Sequence, residues 1–203
     1  MHLGHARKAG GFTLIELVVT MVVLVILTMI AQPSLADFFD RYRLRGAGDA
    51  VVAVISNARA EAVKNDLDVV VAFTGTGTSW CLGANATAVP TGGNPATQIV
   101  SAANADAAKC TCTNPASTTE CRVGGQRAAV EVGAFPDVAI SNTPAAFAFD
   151  SKLGTVVPLG TPAVTLTSPS GRYDVNIQMN ALGQARLCTP DGKPTMAGVP
   201  PCA

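Results

Sequence analysis

The chain has 203 residues, of which 48% are hydrophobic, and its 14 basic and 14 acidic side chains give a formal net charge of zero. This length suits one modest domain with an additional segment, and the neutral charge gives no general indication of nucleic-acid binding. Both histidines, His2 and His5, precede residue 12, so removal of residues 1–11 would exclude Ser-His and Cys-His catalytic pairs and histidine-ligated metals.

An apolar run occupies residues 12–31, and Glu16 is its only charged side chain. At a rise of 1.5 Å per residue, a helix of this length can cross a hydrocarbon layer of about 30 Å. Arg7 and Lys8 precede the run, and basic flanks remain in the cytoplasm. The pattern therefore predicts one membrane-spanning helix with most of the chain outside the cytoplasm.

Three interpretations of this segment compete. A cleaved secretory signal would end after the apolar run, but this run is too long for a usual signal. An uncleaved signal anchor explains length and orientation, but gives no reason for an acid at position 16. Cleavage after Gly11 would place Glu16 in the first helical turn, where the helix dipole favours a carboxylate by about 0.3–1 kcal/mol.

The third interpretation also gives Glu16 a role between molecules. A carboxylate near the centre of a bilayer costs about 2.5–3.5 kcal/mol, and the amine of a neighbouring chain could offset that cost. Glu16 would then set the axial register between packed helices.

The stretch "KAGGFTLIELVV", which starts at Lys8, resembles the processing site of type IV prepilins and pseudopilins. The resemblance implies a prepilin peptidase and N-methyltransferase that cleaves between Gly11 and Phe12 and methylates Phe12. It also implies that Glu16 pairs with a neighbour's amine during assembly. The predicted divisions are a leader over 1–11, a transmembrane and assembly helix over 12–35, and an extracytoplasmic head over 36–203.

The location implied by the resemblance is the bacterial inner membrane. The chain would cross it once, with the N-terminus cytoplasmic before processing and the head in the periplasm. Other pilins or pseudopilins in a filament are the expected partners.

Pro33 predicts a kink rather than the end of the helix. Beyond it, an amphipathic face is predicted from residues at helical spacing, namely Val51, Val54, Ile55, Ala58, Ala62 and Val63.

Three arginines follow the predicted membrane exit, at Arg41, Arg43 and Arg45. We expect them to contact lipid headgroups and solvent, and the alternative is an acidic patch on a neighbouring pilin.

The stretch "SNARAEAVKNDLDVVVAF" from Ser56 resembles the GspH/FimT branch of pseudopilins and minor pilins, as do "FAFDSKLGTV" and "VTLTSPSGRYDVNIQMNALGQARLC". The "A-R-x-E-A" helix end of that branch is present, and we expect Arg59 and Glu61 to hold the helix on the head.

Alternating short apolar runs and turn residues predict a β-rich head. The predicted strands are Val69–Thr74, Thr78–Leu82, Ala128–Val132, Ala145–Phe149, Ala163–Thr167 and Arg172–Met179, with "TGTGTS" as a hairpin turn. Antiparallel strands with one long helix predict an α+β class. Together with the resemblance, this is the type IV pilin fold, in which a helix with a transmembrane half and an amphipathic half packs on a sheet.

Residues 89–127 lack sustained periodicity and are predicted to be a surface insertion. Four cysteines belong to this region or flank it, at Cys81, Cys110, Cys112 and Cys121. Zinc binding is an alternative, but the C-x₂-C spacing of structural zinc sites is absent, and disulfides are expected outside the cytosol. A direct Cys110–Cys112 bond would be strained, so each is expected to pair with Cys81 or Cys121, in an order the spacing leaves open.

Cys188 and Cys202 enclose a segment without helix or strand periodicity. A disulfide between them would close a loop of about 15 residues and contribute roughly 3 kcal/mol. This arrangement resembles the C-terminal disulfide loop of many type IV pilins, and it is expected to fix the tail to the last strand.

The sequence contains no phosphate-binding loop, dinucleotide fingerprint or paired histidines beyond the predicted leader. Its acidic residues are scattered singly. We therefore expect no enzymatic activity, no cofactor and no metal.

DNA binding is the second functional hypothesis. Some members of the FimT group bind DNA through a C-terminal Gly-Arg-x-Arg stretch, and the corresponding residues here are Gly183, Gln184, Ala185 and Arg186. One phosphate-binding charge is thus missing. Arg186 with Lys193, Arg172 and Lys152 could still form a weak patch, which would suit a DNA-binding minor pilin of natural transformation.

The favoured hypothesis is a structural minor pseudopilin or minor pilin in a periplasmic filament anchored in the inner membrane. Type II secretion systems and type IV pili both use such subunits, and the motifs do not separate them.

Overall fold

A computed structural model describes residues 12–87 and 121–202. The chain divides into two compact units, Met1–Phe39 and Asp40–Ala203. Helix α1 extends over Leu14–Asn65. The strands are β1 (Asp68–Thr76), β2 (Ser79–Thr87), β3 (Arg122–Val123), β4 (Gln126–Arg127), β5 (Ala129–Glu131), β6 (Ala139–Ser141), β7 (Phe147–Phe149), β8 (Val156–Val157), β9 (Ala163–Thr167), β10 (Asp174–Met179) and β11 (Ala185–Cys188).

Local sequence explains both ends of α1. At its start the Glu16 N–H donates to the Thr13 hydroxyl oxygen at 3.3 Å, which satisfies one of the free donors of the first turn. At its end Asp66 adopts a left-handed φ of 54°, and the Leu67 N–H donates to the Ala62 carbonyl. This is a Schellman-type ending with an aspartate in the position usually held by glycine.

The helix continues through Pro33, as expected of a kink rather than a stop. It is bent at a break between its pieces Leu14–Ile30 and Ser34–Asn65. Within the described residues, no single helix is long and apolar enough to cross a membrane. The two pieces taken together have the required length and composition.

In the second unit, α1 buries one face at spacings of three and four residues. The fully buried positions are Leu44, Ala47, Val51, Ile55, Ala58 and Ala62. Val54 packs against the same core, whereas Val63 is exposed, so its predicted place on the buried face was wrong. Val63 instead lies beside the turn between β7 and β8, where an added Cβ on Gly154 would lie 3.0 Å from its Cγ2.

Two antiparallel sheets share one apolar core with this helix face. The larger has the order β5-β2-β1-β7-β8, and the smaller has the order β11-β10-β9-β6. Strands β9 and β10 alternate buried and half-buried residues, so one face of the smaller sheet contributes Val164, Leu166, Val175, Ile177 and Met179 to the core. A hairpin of β3 and β4 forms a third pairing.

The hairpin turn between β1 and β2 is confirmed. Gly77 and Thr78 connect the strands, and Gly77 has a φ of 60° at the first of the two turn positions. Glycine at this position is typical of tight two-residue hairpins. Gly77 also pairs with Ile140 through backbone hydrogen bonds at 3.1 and 2.8 Å, which connects the two sheets.

The α+β class, with an N-terminal helix followed by an antiparallel head, agrees with the prediction and with the type IV pilin fold. One boundary needs correction. Residues 121–127, assigned above to the insertion, form the β3–β4 hairpin, and its Val123 is buried in the core. A two-residue strand is too short to produce a periodic pattern. The remaining insertion residues, 89–120, lie outside the described residues.

Candidate functional site

The N-terminal helix presents an apolar surface interrupted by one acid. Phe12 is 79% exposed, and the large apolar side chains between residues 12 and 30 are all exposed. Glu16 is the acid in the first turn. Gly11, the other residue of the predicted cleavage site, lies outside the described residues.

Thr13 belongs to this site and was not singled out from the sequence. It caps the helix through Glu16, as described above. The spacing Thr-x-x-Glu before an apolar run is the pattern of a capping box, and that signal was available in the sequence. Glu16 therefore has two compatible roles, because its backbone N–H takes part in the cap at the start of the helix while its carboxylate is not used in that bond.

The expected anchor between helix and head is formed by Arg59. Its Nε donates to the Gly154 carbonyl oxygen at 3.0 Å, in the turn between β7 and β8. Gly183, in the turn between β10 and β11, packs so closely that an added Cβ would lie 2.5 Å from the same oxygen and 3.0 Å from Cδ of Arg59. One arginine thus joins the helix to two turns.

Glu61 acts locally. Its carboxylate accepts hydrogen bonds from Lys64 at 3.1 Å and from Asn65 at 2.7 Å. These bonds, the one from Lys64 first, hold the pKa of Glu61 below its usual value. The carboxylate also faces the β3–β4 turn, where an added Cβ on Gly124 would lie 2.2 Å from Oε2.

Two of the three arginines that follow the apolar segment contact the head. The Arg41 guanidinium lies 5.7 Å from the ring centroid of the buried Tyr173, within cation–π range. Arg45 donates to the Ala197 carbonyl and forms an ion pair with Asp49 at 3.6 Å. Both side chains are also exposed, so the expected contact with solvent is confirmed and the contacts with the head are additional. The expected contact with lipid headgroups stays a prediction. Arg43 is exposed and has no hydrogen bond or ion pair to the described residues.

The Cys188–Cys202 disulfide is present, with an S–S distance of 2.01 Å. The enclosed loop also bonds to the end of β11, because the Thr189 N–H donates to Pro200 at 2.7 Å and the Cys202 N–H donates to Thr189 at 2.9 Å. As expected, the tail is fixed to the last strand.

Cys81 and Cys121 are both disulfide-bonded, and each is buried. Cys110 and Cys112 lie outside the described residues, so the predicted pairing stays a prediction. Among residues 12–87 and 121–202, no group of three His, Cys, Asp or Glu side chains could hold a metal ion.

The basic residues considered for DNA binding do not form one cluster. Arg186 lies opposite Gln178 in the β10–β11 pair and donates to its side chain at 3.3 Å. Lys193 pairs with Asp174 at 3.0 Å, at the other end of β10, about 13 Å along the strand from Gln178. Arg172 lies beside Tyr173, and Lys152 pairs with Asp66 at 2.6 Å.

Comparison with known proteins identifies the N-terminal segment. A family model described as the prokaryotic N-terminal methylation motif matches residues 6–31. No curated protein and no solved structure matches the chain significantly. The motif indicates a type IV pilin-like protein, and it suggests membrane anchoring and processing by a prepilin peptidase.

Proposed function

We propose that this chain is a structural subunit of the GspH/FimT branch, a minor pseudopilin or minor pilin in a filament anchored in the inner membrane. The filament would be that of a type II secretion system or a type IV pilus. The observation that carries the proposal is the methylation motif over residues 6–31. From Leu14 onward this segment belongs to a helix whose exposed apolar surface contains one acid, Glu16.

The exposed apolar surface suits two environments in succession, first the lipid bilayer and then the interior of a filament. In the membrane, the side chains of residues 12–30 would contact lipid. In a filament, they would contact the same segment of neighbouring subunits, and the carboxylate of Glu16 would pair with the amine of Phe12 in an adjacent chain. Such a charge pair is strong where water is excluded and weak in water, so it would favour the packed state.

A periplasmic head is supported by the disulfides. Cys188 and Cys202 are bonded to each other, and Cys81 and Cys121 each belong to a disulfide. Such bonds persist in oxidising compartments and are rare in the cytosol.

The proposal includes no enzymatic activity. Processing after Gly11 would remove both histidines and leave 12 basic and 14 acidic side chains, a net charge of −2. The remaining acids have structural partners in several cases, such as Asp68, which accepts a hydrogen bond from the Ser151 N–H at 2.8 Å.

The test has two parts. Intact-mass analysis of protein purified from its native membrane is expected to give a chain that begins at N-methylated Phe12. Glu16→Gln is then expected to leave processing intact and to reduce recovery in sheared filaments at least tenfold. Asp49→Asn, which removes an exposed acid from the same helix outside the apolar run, is the matched control and should assemble normally.

A native chain that begins elsewhere than Phe12 would refute the processing assignment. Recovery of Glu16→Gln in filaments at the wild-type level would refute the proposed role of the carboxylate in assembly.

A further inference from the structure

A surface groove lies on the second unit close in sequence to the apolar segment. It is a concavity of about 550 Å³, lined on one side by α1 and on the other by the segment that follows β5. Its charged lining residues are Arg43, Arg45 and Asp49, and its aromatic lining residues are Tyr42 and Phe135.

The groove combines the ring of Phe135 with Arg43, an arginine that has no partner within the described part of the chain. Gly46 lets the ring of Phe135 approach the helix, because an added Cβ would lie 3.1 Å from that ring. Tyr42 is 70% exposed at the edge. Arg43 is exposed and makes no hydrogen bond or ion pair with residues 12–87 or 121–202, whereas its neighbour Arg45 is held by Asp49 and Ala197.

This combination fits an amphiphilic anion. The guanidinium presents a planar set of N–H donors that matches a phosphate, and the exposed ring of Tyr42 can lie at the boundary between hydrocarbon and headgroups. Arg43 follows the exposed Phe38 and Phe39 by about one helical turn of sequence. The chemistry therefore matches the headgroup of an anionic phospholipid.

We propose that this groove, with Arg43 as its central cation, binds the headgroup of an anionic phospholipid while the subunit is in the membrane. The bound lipid would hold the head at the bilayer surface before assembly. The inference requires the membrane anchor but not filament assembly, so failure of the Glu16 experiment would leave it intact.

The test uses the full-length mature protein in nanodiscs made from phosphatidylcholine with increasing phosphatidylglycerol, and native mass spectrometry counts the retained lipids. The wild type is expected to retain one phosphatidylglycerol in preference to phosphatidylcholine. Arg43→Gln should weaken this retention about fivefold, the usual effect of one basic residue near an anionic surface. Arg43→Lys keeps the charge but loses the planar donors, so its retention should fall between that of the wild type and that of Arg43→Gln.

Lys64→Gln is the matched control, since it removes an exposed cation from the other end of the same helix. It is expected to retain phosphatidylglycerol like the wild type. Equal retention by wild type and Arg43→Gln would overturn the proposal, as would equal retention of the two lipids. Complete displacement of the lipid by millimolar inorganic phosphate would also overturn it, because the groove would then be a site for free anions.

Discussion

Gly183 occupies a position that no other residue can hold without cost. Its φ is 77°, and the turn that contains it packs against Gly154, Phe149 and Arg59. The left-handed conformation costs a residue with a Cβ about 1–2 kcal/mol, and the close backbone oxygen of Gly154 adds a steric cost. The contact between the two turns depends on the absence of a side chain here.

We predict that Gly183→Ala lowers the free energy of unfolding by more than about 2 kcal/mol, measured by urea denaturation. Gly171→Ala is the matched control, because Gly171 has a similar φ of 71° but nothing within 4 Å of its added Cβ. In the control, the free energy of unfolding should fall only by the cost of placing alanine in the left-handed conformation. If both variants lost the same free energy of unfolding, the close contact between the two turns at Gly183 would add no steric cost, which would contradict the prediction.

Asp66 and Lys152 form an exposed ion pair with a separation of 2.6 Å between Oδ1 and Nζ. The hydrogen bond from Lys152 lowers the pKa of Asp66, and the same bond raises the pKa of Lys152. Because the pKa of Asp66 is lowered on folding, the pair stabilises the head above the ordinary carboxyl pKa. That contribution is lost as the pH falls through the folded value.

We predict that the pKa of Asp66, measured by an NMR pH titration, rises toward its ordinary value in Lys152→Gln. Lys64→Gln, which removes a nearby lysine that pairs with Glu61 instead, should leave this pKa unchanged. High salt should diminish the difference, since both groups are exposed. A pKa of Asp66 that does not respond to loss of Lys152 would contradict the pairing.

At the scale of elements, the C-terminal loop is held by more than its disulfide. Met196 and Val199 are buried in the core, and the Ala197 carbonyl accepts a hydrogen bond from Arg45 on α1. The loop thus contacts the helix as well as β11. These contacts keep the tail in place on the folded head, while the disulfide restricts the unfolded chain.

We predict that replacing both Cys188 and Cys202 with serine lowers the free energy of unfolding by about 3 kcal/mol, as expected for a loop of this length. Urea denaturation with and without reductant gives the measurement. Reductant should destabilise the double variant less than the wild type, because the variant retains only its other disulfides. Unchanged stability would show that Met196, Val199 and Arg45 hold the loop alone.

The sequence predicted some strands closely and others poorly. The predicted strand Thr78–Leu82 covers less than half of β2, which extends to Thr87. The predicted strand Ala163–Thr167 is confirmed residue for residue because it alternates apolar and polar side chains. β6, β8 and β11 were missed, since two to four residues produce no periodic signal and β11 has no β-branched residue. β10 begins at Asp174 rather than Arg172, since Gly171 and Arg172 belong to the preceding turn.

The candidate site was predictable where it depends on local sequence. Phe12, Glu16 and the Cys188–Cys202 pair follow from motif and spacing. The contact of Arg59 with Gly154 joins residues 95 positions apart, and that of Arg45 with Ala197 joins residues 152 positions apart. Such contacts depend on how the sheets pack, and the sequence alone does not determine them.

At the scale of the whole molecule, the charge distribution bears on DNA binding. The processed chain would have a net charge of −2, and Lys193 and Lys152 each pair with an acid. Nucleic-acid affinity at low salt depends on several basic groups that contact phosphates together. Arg186 lies apart from the Arg172 and Lys193 end of β10, so it would act alone.

We therefore predict that the full-length mature protein in detergent gives no gel shift with double-stranded DNA at low salt and micromolar concentration. Restoring the missing charge with Gln184→Arg is the matched comparison, because it adds a second basic residue beside Arg186. A salt-sensitive shift of the wild type that Arg186→Gln abolishes would contradict this prediction and support the DNA-binding alternative.

The contact of Arg45 with Ala197 joins the beginning and the end of the head's sequence. A chain that emerges across a membrane from its N-terminus exposes Arg45 long before Ala197, which follows it by 152 positions. The hydrogen bond that holds the C-terminal loop on the helix therefore forms only after the whole intervening stretch has crossed. The Cys188–Cys202 disulfide has the same order of events, because it needs both thiols outside the cytosol and an external oxidant that accepts two electrons.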